Sequence, residues 1–159
     1  MRRPVFLLLL ILLQITLPVK LSGQKPDYRL FDNISLGTEA SVINCFLQDT
    51  QGLIWIGSNK GLFSYDGYST QPHFTFAKRN NTQIYCGTVV DSTYLYLGAD
   101  NGLLIYNYRT DIYEEPETQL PTDIRALLVH DGMLWLGTLN GLYTYSLNDH
   151  QLSAVTEGI

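Results

Sequence analysis

Hydrophobic and polar positions follow one pattern three times along the chain. An apolar run centred on an aromatic residue reaches a glycine, a short break follows, and a second glycine opens another alternating apolar run. The three copies are Gly52–Asp66, Tyr94–Tyr106 and Met133–Tyr145. Their first glycines lie 41 and then 39 residues apart. A repeat of about 40–45 residues is typical of the blades of a β-propeller.

Each copy predicts two short strands joined by a tight turn, in the first copy Leu53–Ile56 and Leu62–Tyr65. A mostly apolar strand precedes each pair and ends in an aspartate that opens a turn. A less regular strand follows each pair. The predicted first strands are Val42–Asp49, Ile84–Asp91 and Ile124–Asp131, and the predicted fourth strands are His73–Phe76, Ile112–Glu114 and Gln151–Val155. No mature segment shows sustained helical periodicity. The pattern therefore predicts an all-β chain of about three four-stranded antiparallel blades, an incomplete propeller, since closed propellers have about four to eight.

The repeated aromatic and glycine positions are interpreted as structural. Trp55, Tyr96 and Trp135 share one position, where recurrence favours packing between blades over a sugar-stacking platform. Burial of Trp135 would make Trp135→Ala cost about 3–5 kcal/mol. The first glycine of each copy is expected to allow close approach of a neighbouring backbone, and the second to adopt a positive φ. These positions are Gly57, Gly98 and Gly137, then Gly61, Gly102 and Gly141.

The first 23 residues have the layout of a secretory signal peptide. Two arginines precede the apolar run Val5–Leu13, and Leu21–Gly23 ends in small residues. The alternative, a retained membrane anchor, needs about 20 apolar residues. Residues 24–159 are predicted as the partial propeller, with blades at about 38–78, 79–119 and 120–156. Residues 28–36 contain a predicted strand, Leu30–Leu36, which would complete the last blade. We expect an exported, periplasmic protein.

Cys45 and Cys86 lie in the first strands of consecutive repeats. Aligned on the aspartates that end these strands, they fall one register apart, which predicts opposite faces of their own blades. They would then face each other across the gap between blades or point apart. Export makes a disulfide chemically possible, and two small buried thiols are the alternative that we favour.

The sequence contains no recognisable catalytic or metal-binding pattern. His73, His130 and His150 lack the spacing of metal ligands, and Glu114, Glu115 and Glu117 form a solvated charged link. No nucleophile elbow or phosphate loop is present. We therefore predict no enzymatic activity, no cofactor and no metal. The net charge of −5 leaves no basic face for nucleic acid.

Exposed polar residues in the loops before each first strand and between the second and third strands are the candidates for ligand contact, although turn residues of this kind usually serve the turn itself. They are Asn59, Lys60, Asp100, Asn101 and Asn140.

The first copy, from Gln48-Asp49 through Trp55-Ile56-Gly57 to Gly61-Leu62, resembles the two-component regulator propeller repeat. The lead-in Tyr28–Gly37 is similar to the usual start of such ectodomains. The resemblance extends over most of the mature chain and is weaker in the second copy, which has Tyr96 for Trp and Ala99 for Ser or Thr. It implies the periplasmic sensor of a hybrid two-component system from the Bacteroidetes.

The resemblance implies that the chain is an N-terminal fragment of a sensor for glycan-derived oligosaccharides. The signal would pass to a histidine kinase that this chain lacks. The partners expected are an oligosaccharide and either the remainder of the sensor or a second copy, which would complete the propeller; no membrane span is expected after signal cleavage. Two alternatives are a fragment of an exported propeller enzyme, such as a polysaccharide lyase or glycosidase, and a small exported scaffold or adhesion piece.

Overall fold

The computed structural model describes residues 33–36, 42–73, 82–114, 116 and 119–156. These residues form three four-stranded antiparallel sheets, which confirms the predicted all-β propeller architecture. The strands are β1 (Ile43–Gln48), β2 (Ile54–Ser58), β3 (Gly61–Tyr65), β4 (Thr70–Pro72), β5 (Ile84–Val89), β6 (Tyr94–Ala99), β7 (Gly102–Asn107), β8 (Ile112–Glu114), β9 (Ile124–His130), β10 (Met133–Thr138), β11 (Gly141–Ser146) and β12 (Leu152–Ala154). Each run of four consecutive strands forms one open sheet, termed blade 1, blade 2 and blade 3.

The fourth strand of blade 1 differs from the prediction. It is Thr70–Pro72 rather than His73–Phe76, and residues 74–76 lie outside the described part of the chain. The chain reverses early because the Asp66 carboxylate accepts hydrogen bonds from the amides of Tyr68 at 2.8 Å and Ser69 at 2.7 Å. Tyr65 therefore pairs with Thr70. Of the predicted Leu30–Leu36 strand, the described residues 33–36 carry no strand assignment.

The turns between the second and third strands use the predicted glycine geometry. Gly61, Gly102 and Gly141 have φ values of 104°, 121° and 128°, a region that costs glycine little. In blades 1 and 3 a hydroxyl closes the turn: Ser58 Oγ donates to the Gly61 carbonyl at 3.0 Å and accepts from the Lys60 amide. Blade 2 has Ala99 there, and Asp100 Oδ1 accepts from the Asn101 amide instead.

The hydrophobic core consists of two layers between blades. The layer between blades 1 and 2 contains Trp55, Leu97 and Tyr106, and the layer between blades 2 and 3 contains Tyr96, Ile124 and Leu136. Trp55 and Tyr96 are therefore buried between blades, as the sequence predicts, and each packs against the following blade. The predicted burial of Trp135 is wrong for the described part of the chain. Its side chain is only half-buried, because no described sheet follows blade 3.

The two cysteines occupy equivalent positions, which corrects the predicted shift of one register. Cys45 pairs with Gly57 and Cys86 pairs with Gly98. Asp49 lies four residues after Cys45 whereas Asp91 lies five after Cys86, so the aspartates used for the alignment are not at equivalent positions. Cys45 packs in the first interblade layer and Cys86 in the second, and both are free thiols. Burial raises the pKa of Cys86 to about 11, so this thiol stays protonated near neutral pH.

Candidate functional site

All five predicted ligand candidates lie at one end of the blades, which we call the rim. There the turns after β2, β6 and β10 meet the starts of β1, β5 and β9, as the pairing of Ile43 with Ser58, Ile84 with Ala99 and Ile124 with Thr138 shows. In each blade, the turn between the second and third strands therefore lies at the same edge as the start of the first strand.

Two of the candidates have clear structural tasks at the rim. Asn59 Oδ1 accepts a hydrogen bond from the Val42 amide at 2.9 Å, and Asp100 Oδ1 accepts one from the Gln83 amide at 3.2 Å. Each side chain thereby fastens the turn of a blade to the segment that enters its first strand. Blade 3 has Leu139 at this position, 67% exposed. A ligand that bound Asn59 or Asp100 would have to compete with these backbone amides for the side-chain oxygen atoms.

The other three candidates occupy the next position in each turn. Asn101 Nδ2 lies 3.4 Å from Thr82 Oγ1, to which it donates. The backbone amides of Lys60 and Asn140 are held by Ser58 Oγ and Thr138 Oγ1. Within the described part of the chain, the side chains of Lys60 and Asn140 make no hydrogen bond. Direct ligand contact remains a prediction for these residues.

Sequence reasoning missed three rim residues that the structure brings out, namely Asn44, Tyr85 and Arg125. Each is the extra residue of a β-bulge in the first strand of its blade. Bulges re-aim side chains and are common beside functional sites. The sequence does contain one sign of these residues. They occupy a single repeat position with three chemically different side chains, whereas the position before it is isoleucine in every blade.

These three residues form a row across the blades. Asn44 Nδ2 donates to the Ile84 carbonyl at 2.6 Å, which ties blade 1 to blade 2. The Arg125 guanidinium carbon lies 3.6 Å from the centre of the Tyr85 ring, a cation–π contact between blades 2 and 3. Arg125 Nη2 also donates to Asp123 Oδ1 at 3.3 Å. The rim thus presents an amide, an aromatic ring, a guanidinium and a carboxylate side by side.

A second polar cluster, Ser64–His73–Tyr106–Asp111, lies between blades 1 and 2. Ser64 Oγ is 2.9 Å from His73 Nε2, and His73 Nδ1 is 3.1 Å from Asp111 Oδ1. The Tyr106 hydroxyl donates to the same carboxylate oxygen and lies 2.8 Å from His73 Nδ1. The His73 ring also packs against the Trp55 ring at a tilt of 53°, with ring centres 4.9 Å apart.

The order serine, histidine, aspartate is that of a hydrolase triad, but the surroundings of Ser64 argue against that role. Ser64 is only 5% exposed and lies within a blade sheet, so a scissile carbonyl has no approach to its Oγ. The cluster instead joins two blades through groups from both. The other histidines pair locally: His130 with Asp131 at 3.2 Å, and His150 with the Tyr145 hydroxyl at 2.9 Å. Within the described ranges no three His, Cys, Asp or Glu side chains converge as metal ligands do.

The Ser64–His73–Tyr106–Asp111 cluster makes the stability of the fold depend on pH, through the carboxyl group of Asp111. The Tyr106 hydroxyl, together with His73, holds the pKa of Asp111 below its usual value of about 3.9. A depressed carboxyl pKa stabilises the fold above the unfolded-state pKa, and this contribution is lost as pH falls through the folded-state value. We expect Asp111→Asn to be less stable than the unmodified chain at pH 7 and to lose less stability between about pH 5 and pH 3. Urea unfolding at a series of pH values measures this. A difference between the two chains that stays constant down to pH 3 would contradict it.

Comparison with known proteins agrees with this architecture. Residues 37–60 match the family model described as two component regulator propeller. The first repeat of the chain is thus similar to the two-component regulator propeller repeat. Two solved structures of the extracellular domain of BT4673 from B. thetaiotaomicron are similar to it, at 65% and 66% identity with TM-scores of 0.75 and 0.74. BT4673 is described as a one-component system in the first and as a hybrid two-component system in the second.

The match covers 79% of this chain and 17% of the BT4673 chain, so the present chain spans about a sixth of that domain's length. The computationally designed protein Ika4 shares the fold alone, with 16% identity, a TM-score of 0.59 and coverage of 81% of each chain. No curated protein sequence matches the chain. No helix in the described part of the chain combines the length and hydropathy that a membrane crossing requires.

Proposed function

We propose that the chain forms part of an extracellular sensor region that binds glycan-derived oligosaccharides in the periplasm. The sensor would signal to a histidine kinase and have no catalytic activity of its own. The observation that carries this proposal is the 65% identity, over 79% of the chain, to the extracellular domain of BT4673.

The rim supports the binding half of the proposal. Tyr85 offers a ring with an apolar face and a polar tip, which suits the faces and hydroxyls of a sugar. Arg125 and Asn44 lie beside it and can donate hydrogen bonds to ring and hydroxyl oxygens. The three residues differ at a position where the blades are otherwise alike, so a ligand lying across the blades meets a different group from each.

Isothermal titration calorimetry of the chain against a panel of plant- and host-glycan oligosaccharides tests the proposal. The panel includes neutral and uronic-acid-containing members. We expect one class to bind and Tyr85→Ala to weaken that binding by about tenfold, the loss of a central aromatic contact. Lys60→Ala and Asn140→Ala should have smaller effects.

Arg109→Ala is the matched control, since Arg109 Nε donates to the Ser92 carbonyl in the turns at the opposite end of blade 2. Its affinity should equal that of the unmodified chain. Absence of binding heat with every member of the panel would refute oligosaccharide sensing by this chain. Binding that Tyr85→Ala leaves unchanged would place the site away from the rim.

A further inference from the structure

Charged side chains are distributed unevenly between the two ends of the blades. The turns that join first to second and third to fourth strands lie opposite the rim, and they carry exposed aspartates in every blade. These are Asp66, Asp91, Asp111, Asp131 and Asp149. Among the described lysine and arginine residues, Arg109 alone lies at that end. The end opposite the rim is therefore strongly acidic.

The rim has no such excess of negative charge. Among its described side chains, Lys60 and Arg125 balance Asp100 and Asp123. A six-residue strand such as Ile84–Val89 is about 20 Å long, which exceeds the Debye length of about 8 Å at physiological salt. The two ends thus act as separate electrostatic surfaces, and an anion that the acidic end repels meets no net negative charge at the rim.

Several acceptor atoms of the rim are already used by the protein. Asn59 Oδ1 and Asp100 Oδ1 accept hydrogen bonds from the backbone amides that enter their own blades. Gln83 Oε1 accepts from the Tyr85 hydroxyl at 3.3 Å. A ligand can reach these oxygen atoms only by breaking such bonds, so it gains most from the hydrogen-bond donors of the rim.

Arg125 is the donor best placed to receive an anionic group. Its guanidinium carbon lies 3.6 Å from the centre of the Tyr85 ring, which orients the group from one face. Nη2 donates to Asp123 Oδ1, and within the described ranges the other guanidinium N–H groups make no hydrogen bond. The side chain is 45% exposed. A guanidinium pairs with a carboxylate through two parallel, charge-assisted hydrogen bonds, which a neutral hydroxyl cannot match.

We propose that the rim selects acidic oligosaccharides, in which the carboxylate of a uronic acid pairs with Arg125 beside Tyr85. This inference rests on the proposed sensing function and deepens it by naming the charge of the ligand. Asp123 is the rim charge closest to the anchor that opposes an anion, and Arg125 pairs with it at 3.3 Å before a ligand arrives. Removing the Asp123 charge should therefore strengthen binding.

Calorimetry with matched pairs of ligands tests the selectivity. Each uronic-acid-containing oligosaccharide of the panel is compared with its own methyl ester, which loses the charge and keeps the sugar rings. We expect the acid to bind about tenfold more tightly than the ester, as for the loss of one charged hydrogen-bonded pair. The difference should shrink as the salt concentration rises. Equal affinities for acid and ester would overturn the inference.

Two substitutions at the rim should change the affinity for the acid in opposite directions. Arg125→Gln removes the anchor and should weaken binding of the acid about tenfold. Asp123→Asn should strengthen it about threefold, the size of an exposed pair interaction, and asparagine tolerates the φ of 55° at this position. Circular dichroism checks that both variants fold, and neither should change the affinity for the ester. An affinity for the acid that neither substitution changes would overturn the role of Arg125.

Failure of this inference differs from failure of the sensing function. If neutral members of the panel bind and acidic members bind no more tightly than their esters, sensing stands and selection by charge is wrong. If no member of the panel binds, the sensing function itself is wrong, and the inference fails with it.

Discussion

Replacing Trp55 with alanine is expected to lower the free energy of unfolding by about 3–5 kcal/mol, the usual cost for a buried tryptophan. Trp55 is 2% exposed and fills the layer between blades 1 and 2. Its Nε1 donates a buried hydrogen bond to Asp49 Oδ2 at 2.9 Å, and Asp49 Oδ1 accepts from the amides of Gln51 and Leu53. The substitution therefore creates a cavity and removes one partner of a buried carboxylate.

Trp135→Ala is the matched control, since Trp135 occupies the same position in blade 3 and is only half-buried. We expect it to cost about 1–2 kcal/mol, because less apolar surface leaves water at this site. Urea unfolding followed by tryptophan fluorescence measures both losses. Equal losses for the two variants would show that burial between blades is not what makes Trp55 important.

Replacing Gly98 with alanine is expected to cost about 3 kcal/mol, although only a methyl group is added. The new Cβ would lie 2.5 Å from Cys86 Sγ, 2.7 Å from Ile124 Cγ2 and 2.9 Å from the Ile124 carbonyl oxygen. The last atom belongs to the backbone of blade 3, so a side-chain rotation cannot relieve the clash. Blades 2 and 3 must move apart, which opens the layer that contains Tyr96 and Leu136.

Gly137→Ala provides the comparison, because its added Cβ would meet only Ala126 Cβ at 3.2 Å. We expect its stability to stay within about 1 kcal/mol of the unmodified chain. Adding Cys86→Ala to Gly98→Ala should restore part of the lost stability, since it removes one of the three contacts. Thermal and urea unfolding both report these differences. A Gly98→Ala variant as stable as Gly137→Ala would mean that the blades are not held as closely as the structure shows.

The fold could be predicted because the sequence pattern of each blade recurs at a regular spacing. Three copies of an aromatic, glycine and turn pattern define three hairpins, and the flanking strands follow from the remaining apolar runs. The fourth strand of blade 1 could not be placed this way, because the side-chain hydrogen bonds of Asp66 move the reversal forward by a few residues. The register of Cys45 and Cys86 was also missed, because the aspartates used to align the strands are not equivalent: Asp49 lies four residues after Cys45, whereas Asp91 lies five after Cys86.

The site was less predictable than the fold. Turn residues such as Asn59 and Asp100 are conspicuous in the sequence, yet their side-chain oxygen atoms already accept hydrogen bonds from the backbone of their own blade. Tyr85 and Arg125 are not conspicuous, because they sit inside apolar strands, and only the bulges turn them to the rim. The His73 cluster depends on contacts 33 and 38 residues apart along the chain, which no local pattern encodes.

The chain consists of consecutive propeller blades that are stabilised by the surfaces between them. Amide hydrogen exchange of the chain tests this most directly. Blade 2 is covered on both faces and blade 3 on one. We predict that the amides of β6 and β7 exchange most slowly and that those of β10 and β11 exchange clearly faster, since local opening follows burial. Equal protection of the two pairs of strands would contradict the claim.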